Sequence, residues 1–177
     1  MDIKRVPLGA NPPHELNVII EIPAGADPVK YEIDKDSGAI FVDRMVLTPM
    51  HYPCHYGFVP HTLSADGDPL DVLVYCEERL VPGCVIPVRP IGVLLMEDEA
   101  GKDEKILAVP TARVSPYYAD ITTCQDIADI KLQRIAHFFT HYKDLEKNKW
   151  VKVLGWEGLE TAHKIIEEAI ATATNDK

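Results

Sequence analysis

Residues 71–109 read DVLVYCEERLVPGCVIPVRPIGVLLMEDEAGKDEKILAV, and this stretch decides the fold. Asp71–Cys76, Cys84–Val88, Ile91–Met96 and Lys105–Val109 are short β-rich runs with turn residues between them. The same grammar extends upstream through Asn17–Ile22, Val29–Ile33 and Ala39–Val42, the last two joined by Lys35-Asp36-Ser37-Gly38. Most of the 14 prolines fall between these runs or at their ends, where a missing N–H does least harm. Many short strands with little helix between them predict a small, closed antiparallel sheet. After Pro110 the period changes. Ile127, Ile130, Ile135, Phe138, Phe139 and Tyr142 recur at helical spacing and predict a helix over Gln125–Tyr142. A short strand, Trp150–Leu154, precedes a second helix over Glu157–Thr172. The expected fold is mainly β with two packed helices, in a single domain over residues 1–177.

Composition narrows the function. Eighteen Lys and Arg against 28 Asp and Glu leave a net charge of −10. Nucleic-acid affinity comes largely from cations displacing counterions, so neither a nucleic acid nor an anionic membrane surface is an expected partner. The N-terminal residues contain no apolar run of signal-peptide length, and the longest apolar run, Ile91–Met96, is far below membrane-spanning length. Cys54, Cys76, Cys84 and Cys124 show no zinc-like spacing and read as thiols of a reducing cytoplasm.

The densest chemical signal is Asp66-Gly67-Asp68-Pro69-Leu70-Asp71, with a second acidic group at Glu97-Asp98-Glu99 and Asp103. Carboxylates are hard oxygen donors suited to Mg²⁺, Mn²⁺ or Ca²⁺. An EF-hand loop would require Gly at its sixth position, which here is Asp71, so that reading fails. A solvated acidic turn is the bland alternative, but Asp71 opens the apolar run Val72-Leu73-Val74-Tyr75 and so anchors the cluster on a core strand. Period-2 geometry puts Lys30 and Glu32 on one face of their strand, and Glu21 falls among Ile19, Ile20 and Ile22. An outward polar face and a site explain that alternation equally well. Arg44, Tyr52 and Tyr56 lie in a segment with His51, Cys54 and His55, whose spacing matches no familiar zinc site. His137 and His141 stand four apart as in H-E-x-x-H, but residue 138 is Phe, and packing or an interface accounts for the pair better. Two carboxylate groups with Lys, Arg and Tyr are the equipment of metal-assisted phosphoryl transfer to water. No phosphate-binding Gly-rich loop or G-x-S-x-G elbow offers a competing chemistry.

These residues carry a family resemblance. Glu21-Ile22-Pro23-Ala24, Lys30-Tyr31-Glu32, Asp43-Arg44, Tyr52-Pro53, Tyr56-Gly57, the Asp66–Val72 element, Asp98-Glu99, His141–Leu145 and Lys149-Trp150-Val151 appear in this order. Together they resemble the soluble family I inorganic pyrophosphatases of the bacterial type, over essentially the whole length. The resemblance implies a five-stranded OB-like closed barrel, hydrolysis of pyrophosphate to two phosphates with several Mg²⁺ ions, and a cytoplasmic homo-hexamer. It implies Asp66, Asp71 and Asp103 as core metal ligands, with Asp98 and Glu21 near further Mg²⁺ ions. Asp68 resembles the general base toward a metal-activated water. Lys30, Arg44, Tyr56, Tyr142 and Lys143 look like phosphate holders, and Glu32, Tyr52 and Lys105 like their supports. His137 and His141 match positions at a subunit contact of some members. His51 and His55 depart from the family pattern at positions with no ligand role. An OB-type binding module is the non-enzyme alternative, but it calls for a basic groove with exposed aromatics, and here aromatics are only 7% and the candidate pocket is acidic.

Overall fold

A computed structural model describes residues 2–175. Its strands are β1 (Leu16–Ile22), β2 (Val29–Ile33), β3 (Ile40–Met45), β4 (His55–Phe58), β5 (Asp71–Val74), β6 (Val85–Asp98), β7 (Gly101–Lys102), β8 (Lys105–Pro110) and β9 (Val151–Glu157). Helix α1 (Asp129–His141) precedes β9, and α2 (Leu159–Asn175) follows it. Hydrogen bonds run in the order β1-β4-β5-β8-β6, and β6 returns to pair with β1, which closes a strongly curled ring of five strands. The expected mainly-β fold with two helices is therefore present.

One detail of the expectation fails. The ring is not antiparallel throughout, because β5 and β8 run parallel in the register Val72↔Ile106, Leu73↔Leu107, Val74↔Ala108. Direction cannot alternate around a cycle with an odd number of members, so a ring of five must contain a parallel neighbour pair. Strand β6 is the spine. Its 14 residues replace the two separate strands expected at Cys84–Val88 and Ile91–Met96. Pro90 reads as a break in sequence, yet here the chain passes it with a register shift between Pro90 and Gly92 that bends the strand without ending it.

Alternate residues of the ring face two different cores. Val72 and Val74 of β5 and Ile106 and Ala108 of β8 pack with Ala162, Ile166 and Ala169 of α2. Leu73, Leu107 and Val109 point to the opposite face and pack with Ile135, Phe138 and Phe139 of α1. Burial of both faces is why these strands read as nearly continuous apolar runs. Helix α1 begins four residues later than its periodicity suggests. Residues Cys124–Asp126 form a separate turn, capped where the Asp126 carboxylate accepts the N–H groups of Thr122 and Thr123, each at 2.8 Å. Ile130, assigned to the apolar stripe, is exposed. Helix α2 likewise starts later, at Leu159, because β9 continues through Glu157.

Strand β4 was not expected, since Pro53 and Gly57 mask a run of only four residues. Gly57 is required there: a Cβ at this position would lie 2.1 Å from the Ile19 carbonyl oxygen of β1. We expect Gly57→Ala to lower stability by about 3 kcal/mol, the upper range for overpacking, because backbone rather than a pliable side chain must move. Urea unfolding with an unchanged m-value checks this, and a loss below about 0.5 kcal/mol would show that β1 and β4 separate easily.

Candidate active site

Several chain segments deliver polar groups to one mouth of the ring. Glu21 sits near the end of β1, Lys30 and Glu32 on β2, Arg44 on β3 and Tyr56 on β4. Asp71 opens β5, Asp98 closes β6, Asp103 follows β7 and Lys105 opens β8, while Tyr142 and Lys143 directly follow α1. On β2, Lys30 and Glu32 both face the cavity, and Lys30 is paired in register with Arg44. All fourteen residues expected at the site line this one cavity of about 290 Å³. Two more ammonium groups, Lys35 and Lys149, also line it and are absent from the expected set. Lys35 lies 3.8 Å from the Asp68 carboxylate, and Lys149 pairs with Glu99. Both lie in polar turns whose local sequence does not distinguish them from other surface lysines.

At the centre is Lys105. The residue is 3% exposed, and its ammonium lies 2.5 Å from Asp71 Oδ2, pairs also with Asp103, and stands over the Tyr56 ring at 5.7 Å. Burial alone would favour the neutral amine, but the two carboxylates outweigh it and hold the group charged. Lys143 is similarly buried, 2.8 Å from Asp98 Oδ2, and the bond it donates keeps the Asp98 carboxyl below its ordinary range despite desolvation. Lys30 pairs with Glu32 and lies 3.4 Å from Asp43, while Arg44 lies 2.6 Å from Asp43 and 3.4 Å from Glu146.

Two carboxyls lack such compensation. Glu21 is 5% exposed and accepts one N–H, from Ile33 at 2.7 Å; burial pushes its pKa up to about 7. Asp66 is also raised, first by burial and then by Asp103, Asp71 and Asp68 around it. Desolvation lifts the phenols of Tyr52 and Tyr56 well above their ordinary value, and Tyr142 is raised for the same reason, so all three stay protonated donors.

The lining holds eight carboxylates and six cations, a formal balance of −2 when all are ionised. Carboxylates in this density, two of them disfavoured as anions, are the donor set a hard divalent cation fits. Among the described residues no three of them converge at single-ion distance, because Lys105 lies between Asp71 and Asp103. The two histidines outside the family pattern serve the backbone. His55 Nδ1 accepts the N–H of Ala24 at 3.0 Å, so its Nε2 carries the proton toward the Glu78 carbonyl at 2.9 Å. His51 Nδ1 donates to the Ala26 carbonyl at 2.7 Å, and the Gly25 N–H donates to the Tyr52 carbonyl at 2.8 Å. The segment that follows Glu21 is thereby strapped to the segment that leads into Tyr56.

Known proteins share much of this sequence and this fold. The family model described as inorganic pyrophosphatase matches residues 18–174. The inorganic pyrophosphatase of Rhodospirillum rubrum is 58% identical over 177 residues, covering 100% of this chain and 99% of that protein. That of Agrobacterium fabrum is 57% identical over 170 residues, covering 96% of each. The crystal structure of inorganic pyrophosphatase from Thermus thermophilus superposes with a TM-score of 0.92 at 41% identity, covering 98% of this chain and 99% of that one. The structure of an inorganic pyrophosphatase from Coxiella burnetii gives 0.91 at 51% identity, covering 94% and 99%. Agreement in sequence over nearly the full length and in the path of the backbone places this chain in the inorganic pyrophosphatase family.

Proposed function

We propose that the protein hydrolyses inorganic pyrophosphate to two orthophosphates in the presence of Mg²⁺. The observation that carries this reading is the cavity lining, in which carboxylates alternate with ammonium, guanidinium and phenol groups. A tetra-anion would be repelled by a lining whose formal balance is already negative, so the substrate enters only with added positive charge. Bound among Asp66, Asp71, Asp103, Asp98 and Glu21, Mg²⁺ ions would supply that charge and lower the pKa of a nearby water.

The remaining work belongs to the chain. Lys30, Arg44, Tyr56, Tyr142 and Lys143 donate hydrogen bonds to phosphate oxygens and hold the P–O–P bridge in place. Glu32, Tyr52 and Lys105 keep those donors and ligands oriented. Lys35 and Lys149 add charge at the rim. Asp68 accepts a proton from the attacking water. Its side chain is 75% exposed, against 19% for Asp71 and 13% for Asp103, as suits a group that must meet water rather than a caged cation. The water oxygen bonds to one phosphorus, the bridging P–O bond breaks, and the two water protons end on the two product phosphates.

The unit that acts is taken to be the whole chain as one domain, in the cytoplasm, as a homo-hexamer. Four free cysteines among the described residues suit a reducing compartment, and no described helix is long and apolar enough to cross a membrane. Ile40, Phe41 and Val42 of β3 are exposed, which supports burial between copies. Sedimentation at neutral pH should give a six-chain species, and a monomer would refute the assembly.

Phosphate release from pyrophosphate should require Mg²⁺, stop in EDTA and be far slower with ATP; absence of Mg²⁺-dependent release would refute the reaction. Asp68→Asn should lower kcat and kcat/KM together by roughly 10²–10⁴ with Mg²⁺ dependence unchanged. Asp71→Asn should instead regain part of its rate as Mg²⁺ is raised. The opposite rescue pattern would mean the two roles are exchanged.

Glu21 gives a readout without turnover. Between its ordinary pKa of 4.5 and about 7, the folded chain holds a proton that the unfolded chain has released, so stability falls as pH rises through that window. Glu21→Gln removes this penalty, on the order of 3 kcal/mol at pH 8. In EDTA at pH 8 the variant should melt several degrees above the parent, and in excess Mg²⁺ the order should reverse. A variant that melts lower in EDTA would show that the carboxylate is already compensated.

A further inference from the structure

Strand β1 breaks its own alternation at a residue of the cavity. Along a regular strand Ile20 and Ile22 would share a face. Ile20 packs instead in the core that holds α2, and Ile22 in the core that holds α1. The pairing with β4 shows why. Ile20 meets Gly57 and Ile22 meets Tyr56, so two steps along β1 match one along β4, and Glu21 is the extra residue. A bulge of this kind re-aims a side chain and leaves the ladder locally broken. From that position Glu21 opens on the cavity. Its direction therefore depends on what anchors the chain just beyond the bulge. Pro23 has no N–H, so the first donor past the strand is Ala24. That N–H goes to Nδ1 of His55, 3.0 Å away. His55 is 1% exposed and directly precedes Tyr56, the partner of Ile22. Its Nε2 is fixed in turn by the Glu78 carbonyl at 2.9 Å.

We propose that His55 is a positioning residue for the reaction: its imidazole clamps Ala24 and so holds the bulge that aims the Glu21 carboxylate into the cavity. The assignment rests on the role proposed above for Glu21 beside Mg²⁺. The clamp differs from the two grips next to it. Gly25 is held through the Tyr52 carbonyl, and Ala26 through the exposed ring of His51. At Ala24 the grip is a buried ring bonded on both sides, which gives it a single orientation. Glu21 carries its own reporter. The Ile33 N–H donates to Glu21 Oε1 at 2.7 Å, so exchange of that amide follows the aim of the carboxylate.

Deuterium exchange of the full-length protein in EDTA, resolved at the Ala24 and Ile33 amides, tests the clamp without metal or turnover. In the parent the two amides should exchange at matching rates, because one opening frees both. His55→Asn keeps an acceptor where Nδ1 stands, whereas His55→Gln keeps only a donor where Nε2 stands. His55→Asn should leave both amides protected, and His55→Gln should speed both about tenfold, as loss of one net hydrogen bond implies. The Mg²⁺ concentration that half-saturates phosphate release should rise about tenfold in His55→Gln and stay near the parent value in His55→Asn. At saturating Mg²⁺, kcat should change little in either variant. Ile33 protection that survives loss of protection at Ala24 would overturn the assignment, and so would the same Mg²⁺ dependence in the Asn and Gln variants. Because exchange requires no turnover, failure of the reaction itself would show separately, as a parent that releases no phosphate.

Discussion

A ring of five strands must place two parallel neighbours somewhere, and in this protein the chemistry depends on where that pair falls. Parallel strands start at the same end. The register Val72↔Ile106 therefore sets Asp71, the residue before Val72, beside Lys105, the residue before Ile106. An antiparallel partner would have carried Lys105 to the far rim. Because β8 opens at this mouth, the short turn before it also brings Asp103 there, and the end of the antiparallel β6 brings Asp98. The concentration of charge at one opening is a consequence of closure with an odd strand number.

Charge in that position is costly, and the neighbourhood shows how the cost is met. Lys105 and Lys143 are both under a tenth exposed, Lys105 with two carboxylates within hydrogen-bond distance and Lys143 with one. Removing one partner from such a pair leaves the other uncompensated, which typically costs about 3–5 kcal/mol. Glu21 and Asp66 sit where no such cation reaches, and the protein keeps them above the ordinary carboxyl range instead. The site therefore combines two kinds of carboxylate: those already neutralised by the chain and those left short of positive charge. The second kind is held in the cavity without the positive charge that the first already has.

Much of this was legible in the sequence, for identifiable reasons. The Asp66–Asp71 loop and the Lys30/Glu32 alternation are local patterns, and both mark the cavity. Burial of β5 and β8 on both faces produced apolar runs that announce themselves. What escaped was non-local. The direction of β5 relative to β8 is a property of ring closure and leaves no trace in either run. Strand β4 was hidden because its Gly57, a strand breaker by propensity, is there for the close approach of β1. Pro90 looked like an end to a strand because a lost N–H cannot be told, in sequence, from a bulge that never needed it. Lys35 and Lys149 reach the cavity from turns, and only the packing of distant segments gives them a role.

The position of β6 has a kinetic consequence. It pairs with β1 before it and with β8 and β9 after it, so Leu16 meets Val88 while Leu94 meets Trp156. Bringing such distant segments together carries loop-closure entropy before any contact offsets it, and topologies of this kind fold slowly. During synthesis, β1, β4 and β5 can exist only as an open sheet with both margins unpaired until β6 and β8 have left the ribosome. The nascent chain therefore has no half-built version of the mouth, and the carboxylates carried by β1, β5 and β6 come together in one step, when the ring shuts.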